Sequence, residues 1–152
     1  FNQKHAEKIF DIEKGLPFRQ NSVDFIFSDN TFEHLNAFLS VMEECYRVLK
    51  PGGNLLIKVP YFKSKHAFVD PTHVNFFTIQ TLDYFVEGTY FNEYYRFSDK
   101  SFQELTVFLD PGRSGSIKNL LAAYAIARPN HFENSVLSCI FIYHNILFML
   151  KK

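Results

Sequence analysis

The chain has 152 residues, the length of one ordinary domain. Apolar residues make up 47% and charged residues 21%, which excludes a disordered chain and leaves enough apolar material for a core. Sixteen basic side chains balance sixteen acidic ones, so no net field draws the protein to nucleic acid or anionic lipid.

Two cysteines, Cys45 and Cys139, are too few for a disulfide framework or a cysteine-based zinc site. Their sparse use fits a reducing, cytoplasmic setting. The sequence opens on Phe1 with no charged-then-apolar leader, so no signal peptide is expected and the chain is expected to begin inside a longer protein. No stretch reaches the ~18 apolar residues of a membrane span. The nearest, Val136 to Leu150, is broken by Ser138, His144 and Asn145 and reads as a buried helix running into a buried strand.

In chain order, Ala6 to Ile12 reads as the end of a strand, followed by the turn Glu13-Lys14-Gly15. Ser22 to Ser28 reads as a strand, rich in the β-formers Val23, Phe25, Ile26 and Phe27. The strongest helix follows. Leu35, Phe38, Leu39, Met42, Cys45, Tyr46 and Leu49 recur at the spacing of one buried face. Asn30 and Glu33 suggest a capping box at its start, and Lys50-Pro51-Gly52-Gly53 a stop. Asn54 to Val59 is a second strand, completing a βαβ unit whose strands should be parallel. Beyond it, Thr78 to Val86 is expected to be helical, Phe102 to Leu109 a strand and Pro111 to Gly115 a loop. Ile117 to Ala127 and His131 to Cys139 are expected to be helices, and Asn145 to Lys151 the last strand.

The run Asp11-Ile12-Glu13-Lys14-Gly15-Leu16-Pro17-Phe18, then Asn21-Ser22-Val23-Asp24, Glu33-His34-Leu35 and Arg47-Val48-Leu49-Lys50-Pro51-Gly52-Gly53, resembles class I S-adenosylmethionine-dependent methyltransferases. More narrowly, it resembles their type-11 small-molecule branch. The resemblance implies an α/β, Rossmann-like three-layer fold with strand order 3-2-1-4-5-7-6 and strand 7 antiparallel. On that template Ala6 to Ile12 is strand 3, and the four later strands are 4, 5, 6 and 7.

The glycine-rich loop after strand 1 and the acidic residue after strand 2 have no counterpart among the six glycines and the acids present. One partial, N-terminally truncated domain over 1–152 is therefore expected, with 1–60 on the cofactor side and 61–152 on the acceptor side. The edge of strand 4, left without strand 1, would be a hydrophobic surface open to oligomerisation.

The implied cofactor is S-adenosylmethionine, and the implied partner a small-molecule acceptor. The resemblance puts Asp11 and Ile12 beside the adenine, and Ser28, Asp29 and Asn30 at the methionine end. Tyr61, His66, His73 and Phe76, after strand 5, are candidates for the acceptor pocket. His34 and His73 are the candidate bases, should the acceptor have to lose a proton.

His66, Asp70 and His73 have metal-ligand spacing, but Pro71 argues against their convergence, and no metal is assigned. Cys45 reads as core, and the aromatic cluster from Tyr84 to Phe97 as core and lid packing more than as a pocket. Two other readings stay open. One is a non-catalytic remnant that binds another chain through its open edge; the other is a metal-dependent enzyme built on His66, Asp70 and His73.

Overall fold

The computed structural model describes residues 9–110 and 116–152. Its four strands form one sheet: β1 (Val23–Asp29), β2 (Leu49–Pro60), β3 (Glu104–Leu109) and β4 (Asn145–Lys151), in the order β1-β2-β4-β3. β1 and β2 run parallel, and β4 runs antiparallel to both its neighbours. This is the 4-5-7-6 half of the expected order, with the reversed strand where the resemblance puts it.

Period-2 burial holds the register. Leu55, Ile57 and Val59 lie opposite Leu150, Phe148 and Ile146, and all six are buried in one continuous row. Helix α1 (Phe38–Val48) joins β1 to β2 and adds Val41, Met42, Cys45 and Val48 to the same core. Between β1 and β2 the ladder jumps, because Val23 faces Leu49 while Phe25 faces Asn54. Lys50 to Gly53 bulge out, and Gly52 takes the left-handed φ of +78°.

The helix begins later than its pattern suggests. Phe32 to His34 form a 3-10 turn, Leu35 is extended, and α1 starts at Phe38 without a side-chain cap of its own. The Asn30–Glu33 capping box does not form. Instead Glu13 reaches across, and its Oε1 accepts from the Ala37 N–H at 2.7 Å. That frees Glu33 to turn inward.

Three other segments differ from expectation. The expected strand Ala6 to Ile12 begins outside the described residues; Ile9 to Asp11 pair with no described strand, and Ile12–Lys14 is one 3-10 turn. Thr78 to Val86 is not a continuous helix. Thr81 Oγ1 takes the Thr78 N–H, Asp83–Phe85 is a 3-10 turn, and Val86 leaves extended to bridge Phe102. His131 to Cys139 splits into α4 (Pro129–Glu133) and α5 (Leu137–Ile140). Here the Ser135 and Ser138 hydroxyls donate to the carbonyls of Phe132 and Glu133.

A short helix, α2 (Tyr90–Tyr95), lies inside the aromatic cluster, and α3 (Ser116–Ala127) matches the expected helix. The predicted loop at Pro111 to Gly115 lies outside the described residues. Among the described residues no helix is long and apolar enough to cross a membrane.

Candidate functional site

Two clefts meet at the loop that follows β1: one runs along β1 from Val23 to Asp29, and the other lies at the carboxyl ends of β1 and β2. The first is an apolar cavity of about 380 Å³ along the edge of β1 that no strand among the described residues pairs, walled by Ile12, Leu16, Phe25, Phe27 and Phe32. Ser28 and Asp29 line it, so the structure brings three of the expected cofactor residues, Ile12, Ser28 and Asp29, into one space. Asp11 is not on that lining. Its carboxylate accepts from the Glu13 N–H and pairs with Lys14 at 3.2 Å, which makes it the cap of the 3-10 turn. Asp29 is held at 3.0 Å from Lys58. Asn30 takes φ +50° and turns the chain toward the second cleft.

These residues fit one side of S-adenosylmethionine. The apolar wall suits a flat adenine, and Ser28 and Asp29 offer polar atoms to the ribose or the amino acid end. Asp29 is the one carboxylate among the described lining residues, and it is engaged with Lys58.

The second cleft, about 410 Å³, is lined by Glu33, four histidines (His34, His66, His73 and His144), Asp70 and Asn30. Its floor is built by a latch between two loops. The backbone carbonyl of Glu33 accepts from the N–H groups of Val74 and Asn75, and the Asn75 amide donates to the carbonyls of Phe32 and Leu35. The latch sets the His34 ring 4.7 Å from the His73 ring.

The Glu33 side chain is 2% exposed, and neither of its carboxylate oxygens has a hydrogen-bond partner on another of the described residues. Burial pushes its pKa up, opposed by its own backbone N–H and by the charge of His34 and His73. His73 Nε2 stands 4.0 Å from Glu33 Oε1.

The remaining acceptor-side candidates scatter. Tyr61 is fully buried. Its hydroxyl donates to Glu133 Oε1 at 3.0 Å, and burial beside that carboxylate holds its pKa well above the usual phenol range. Tyr61 thus has no surface to offer a ligand and serves the core. His66 lies across the cleft with its ring 5.4 Å from His144. Phe76 is exposed and stacks on Phe68 at 5.0 Å, outside the cleft lining.

Asp70 does not converge with His66 and His73 as a third ligand. It accepts from the Thr72 N–H and hydroxyl, and those bonds lower its pKa. The residue that spacing missed is Glu33, because a Glu three positions after Asn30 reads as a cap. Only the 3-10 turn rotates it inward.

Cys45 is core, its thiol pushed up to about 12 by burial. In the aromatic cluster Phe85 joins the core, while Tyr84 stacks between Phe91 and Phe97.

Residues 2–57 match the methyltransferase domain family. A malonyl-[acyl-carrier protein] O-methyltransferase from Coxiella burnetii is 51% identical over 42 residues, which are 28% of this chain and 15% of that protein. A bifunctional biotin biosynthesis protein from Cellvibrio japonicus is 48% identical over 44 residues, 29% of this chain and 9% of that protein.

Among solved structures, a SAM-dependent methyltransferase from Archaeoglobus fulgidus superposes with a TM-score of 0.54 at 21% identity. The match covers 93% of this chain and 64% of that one. One from Thermotoga maritima, described as a possible histamine N-methyltransferase, gives 0.53 at 16% identity, covering 92% and 61%. The [4+2]-cyclase SpnF gives 0.52 at 16%, covering 95% and 54%, so the fold by itself does not specify methyl transfer. The family match and the sheet order agree: residues 2–57 resemble a methyltransferase domain in sequence, and the chain shares the fold of these solved methyltransferases.

Proposed function

We propose that this chain forms part of an enzyme that transfers the methyl group of S-adenosylmethionine to a small-molecule acceptor. The observation that carries this reading is the placement of the loop Ser28-Asp29-Asn30. It leaves β1 at the carboxyl end of the sheet and divides an apolar cavity from a polar, histidine-rich cleft. On this reading the cofactor lies along the first and the acceptor enters the second.

Methyl transfer is an in-line displacement at a sulfonium, so the chain's work is orientation: Ile12 against the adenine, Ser28 and Asp29 at the polar end. A proton leaving the acceptor would pass to His34 or His73, whose rings stand together in the second cleft. The Coxiella relative's match covers too little of this chain to bring its acceptor with it.

The 152 residues supply one wall of the cofactor cleft, and we propose that they bind it weakly by themselves. Titration with S-adenosylhomocysteine, followed by amide NMR, tests this. Expected are millimolar affinity and shifts centred on Ile12 and Ser28 to Asn30. Micromolar affinity would overturn the half-site claim, and shifts that bypass Ser28 to Asn30 would overturn the placement of the cleft.

One observation favours a second reading, a non-catalytic module that binds another chain. Phe25 and Phe27 on the edge strand β1 are 53% and 55% exposed, a ready surface for strand addition.

A further inference from the structure

The Glu33 carboxylate poses a physical problem that methyl transfer does not solve. A carboxyl group buried to 2% exposure, with no hydrogen bond to either oxygen from another described residue, is costly to fold unless something compensates it. Its neighbours point to the compensation. One carboxylate oxygen of Glu33 and one ring nitrogen each of His34 and His73 lie within 4.8 Å of one another.

The hydrogen bonds behind these rings set their tautomers. His73 Nδ1 faces the Ala67 carbonyl at 3.0 Å, and a carbonyl only accepts, so Nδ1 carries the hydrogen and Nε2 the lone pair. The Thr72 hydroxyl donates to Asp70 Oδ1 at 2.7 Å. Its oxygen, 2.9 Å from His34 Nδ1, therefore accepts from that ring. Both imidazoles are thus anchored through Nδ1 with Nε2 left to bind a Lewis acid. One is backed by a backbone carbonyl and the other by a Thr–carboxylate relay, the outer-shell pattern that orients histidine ligands.

We propose that Glu33, His34 and His73 bind a divalent first-row transition-metal ion, of the Mn²⁺, Fe²⁺, Co²⁺ or Zn²⁺ class. Two imidazoles with one carboxylate select such ions over Mg²⁺ and Ca²⁺, which take oxygen ligands. Metal bonds of ~2.0–2.2 Å set ligands about 3.0–3.5 Å apart, so the cluster tightens by roughly an ångström on binding. Three protein ligands leave at least one position open to the cleft, for water or for an acceptor atom. The role toward an acceptor rests on the methyl-transfer reading; the ion site does not.

The site differs from the H-x-x-x-D-x-x-H spacing in sequence. His73 is shared, but Asp70 moves to the outer shell and His66 stands across the cleft against His144.

Cobalt(II) alone is the probe, added to the purified 152-residue chain after chelation and dialysis, with neither cofactor nor acceptor present. The expected result is one Co²⁺ per chain with visible d–d bands. Affinity should fall about 100-fold in Glu33→Gln and His73→Ala. It should fall about 10-fold in Thr72→Val, which removes only the hydroxyl behind His34. Thr72 is exposed and Glu33→Gln removes a buried charge, so both variants are expected to fold, as circular dichroism would check.

His131→Asn, at a ring that contacts Tyr124 and does not line this cleft, should bind as the parent does. Failure to bind one equivalent overturns the site, and so does binding that Glu33→Gln and Thr72→Val leave unchanged. Because no cofactor is present, this result is independent of whether the chain takes part in methyl transfer.

Discussion

Glu44 shows how one side chain ties a loop to a helix. Its carboxylate receives two bonds from Arg47, at 2.7 and 2.8 Å, and one from the Leu16 N–H at 3.0 Å. Arg47 in turn donates to the carbonyls of Leu16 and Phe18. The pair therefore fastens the segment before β1 onto α1. The guanidinium holds the Glu44 pKa down at about 2, against 4.5 for an ordinary glutamate. A depressed carboxyl contributes stability that is complete above the unfolded value and is lost as pH falls from 4.5 toward 2.

Glu33, Asp83 and Glu133, raised by burial, act with the opposite sign. Their contribution is complete below the unfolded value and is lost as pH rises from there through the raised folded value. Glu44→Gln should therefore cost about 1–2 kcal/mol at pH 7, allowing for partial exposure, and should flatten the acid limb of a urea stability profile. An unchanged acid limb would show that the loop is not fastened this way.

At the scale of elements, α1 is capped from outside at both ends. Glu13 takes the Ala37 N–H at its start. At its other end, Lys152 Nζ donates to the carbonyls of Tyr46 and Leu49 at 2.7 Å each and sits 4.4 Å from the Tyr46 ring. A lysine at a helix C-terminus satisfies free carbonyls and meets the negative end of the dipole. Burial lowers its pKa.

Lys152→Met keeps most of the stem and removes the donor. It should lower thermal stability by about 1 kcal/mol, read as a fall of several degrees in melting temperature. An unchanged melting point would assign the contact no weight. Neither cap was legible in the sequence, since each partner lies 24 or more positions from the backbone groups it serves. The helix itself was legible, because an apolar stripe at 3.6-residue spacing depends on no distant residue.

For the molecule as a whole, the unbalanced feature is the edge of β1, which no strand among the described residues pairs. The other edge strand, β3, exposes one large apolar side chain, Phe108, between exposed Thr106 and buried Leu109. β1 exposes Phe25 and Phe27 side by side on one face, next to exposed Phe10 and Phe18. Light scattering at rising concentration should show self-association of the chain, and Phe25→Lys with Phe27→Lys should suppress it. A discrete dimer would favour the protein-binding reading, whereas growing, polydisperse species would favour an edge made for an absent strand. A chain that stays monomeric at all concentrations would overturn the edge argument.

The sequence by itself determined the four strands, two of the longer helices and the parallel βαβ unit, because periodicity and turn residues are local signals. The expected strand order came from the resemblance, and the sheet follows it. The segments misread as helices, Thr78 to Val86 and His131 to Cys139, are those where Thr and Ser hydroxyls compete for backbone groups.

Only the tertiary structure decided the site. Glu33 and His34 are neighbours in the chain, but His73 reaches them through the latch of Val74 and Asn75 onto the Glu33 carbonyl. Tyr61, an attractive pocket residue by position, is sealed in the core by Glu133, 72 residues away. Burial and long-range hydrogen bonds are properties of packing, and no spacing within one segment can express them.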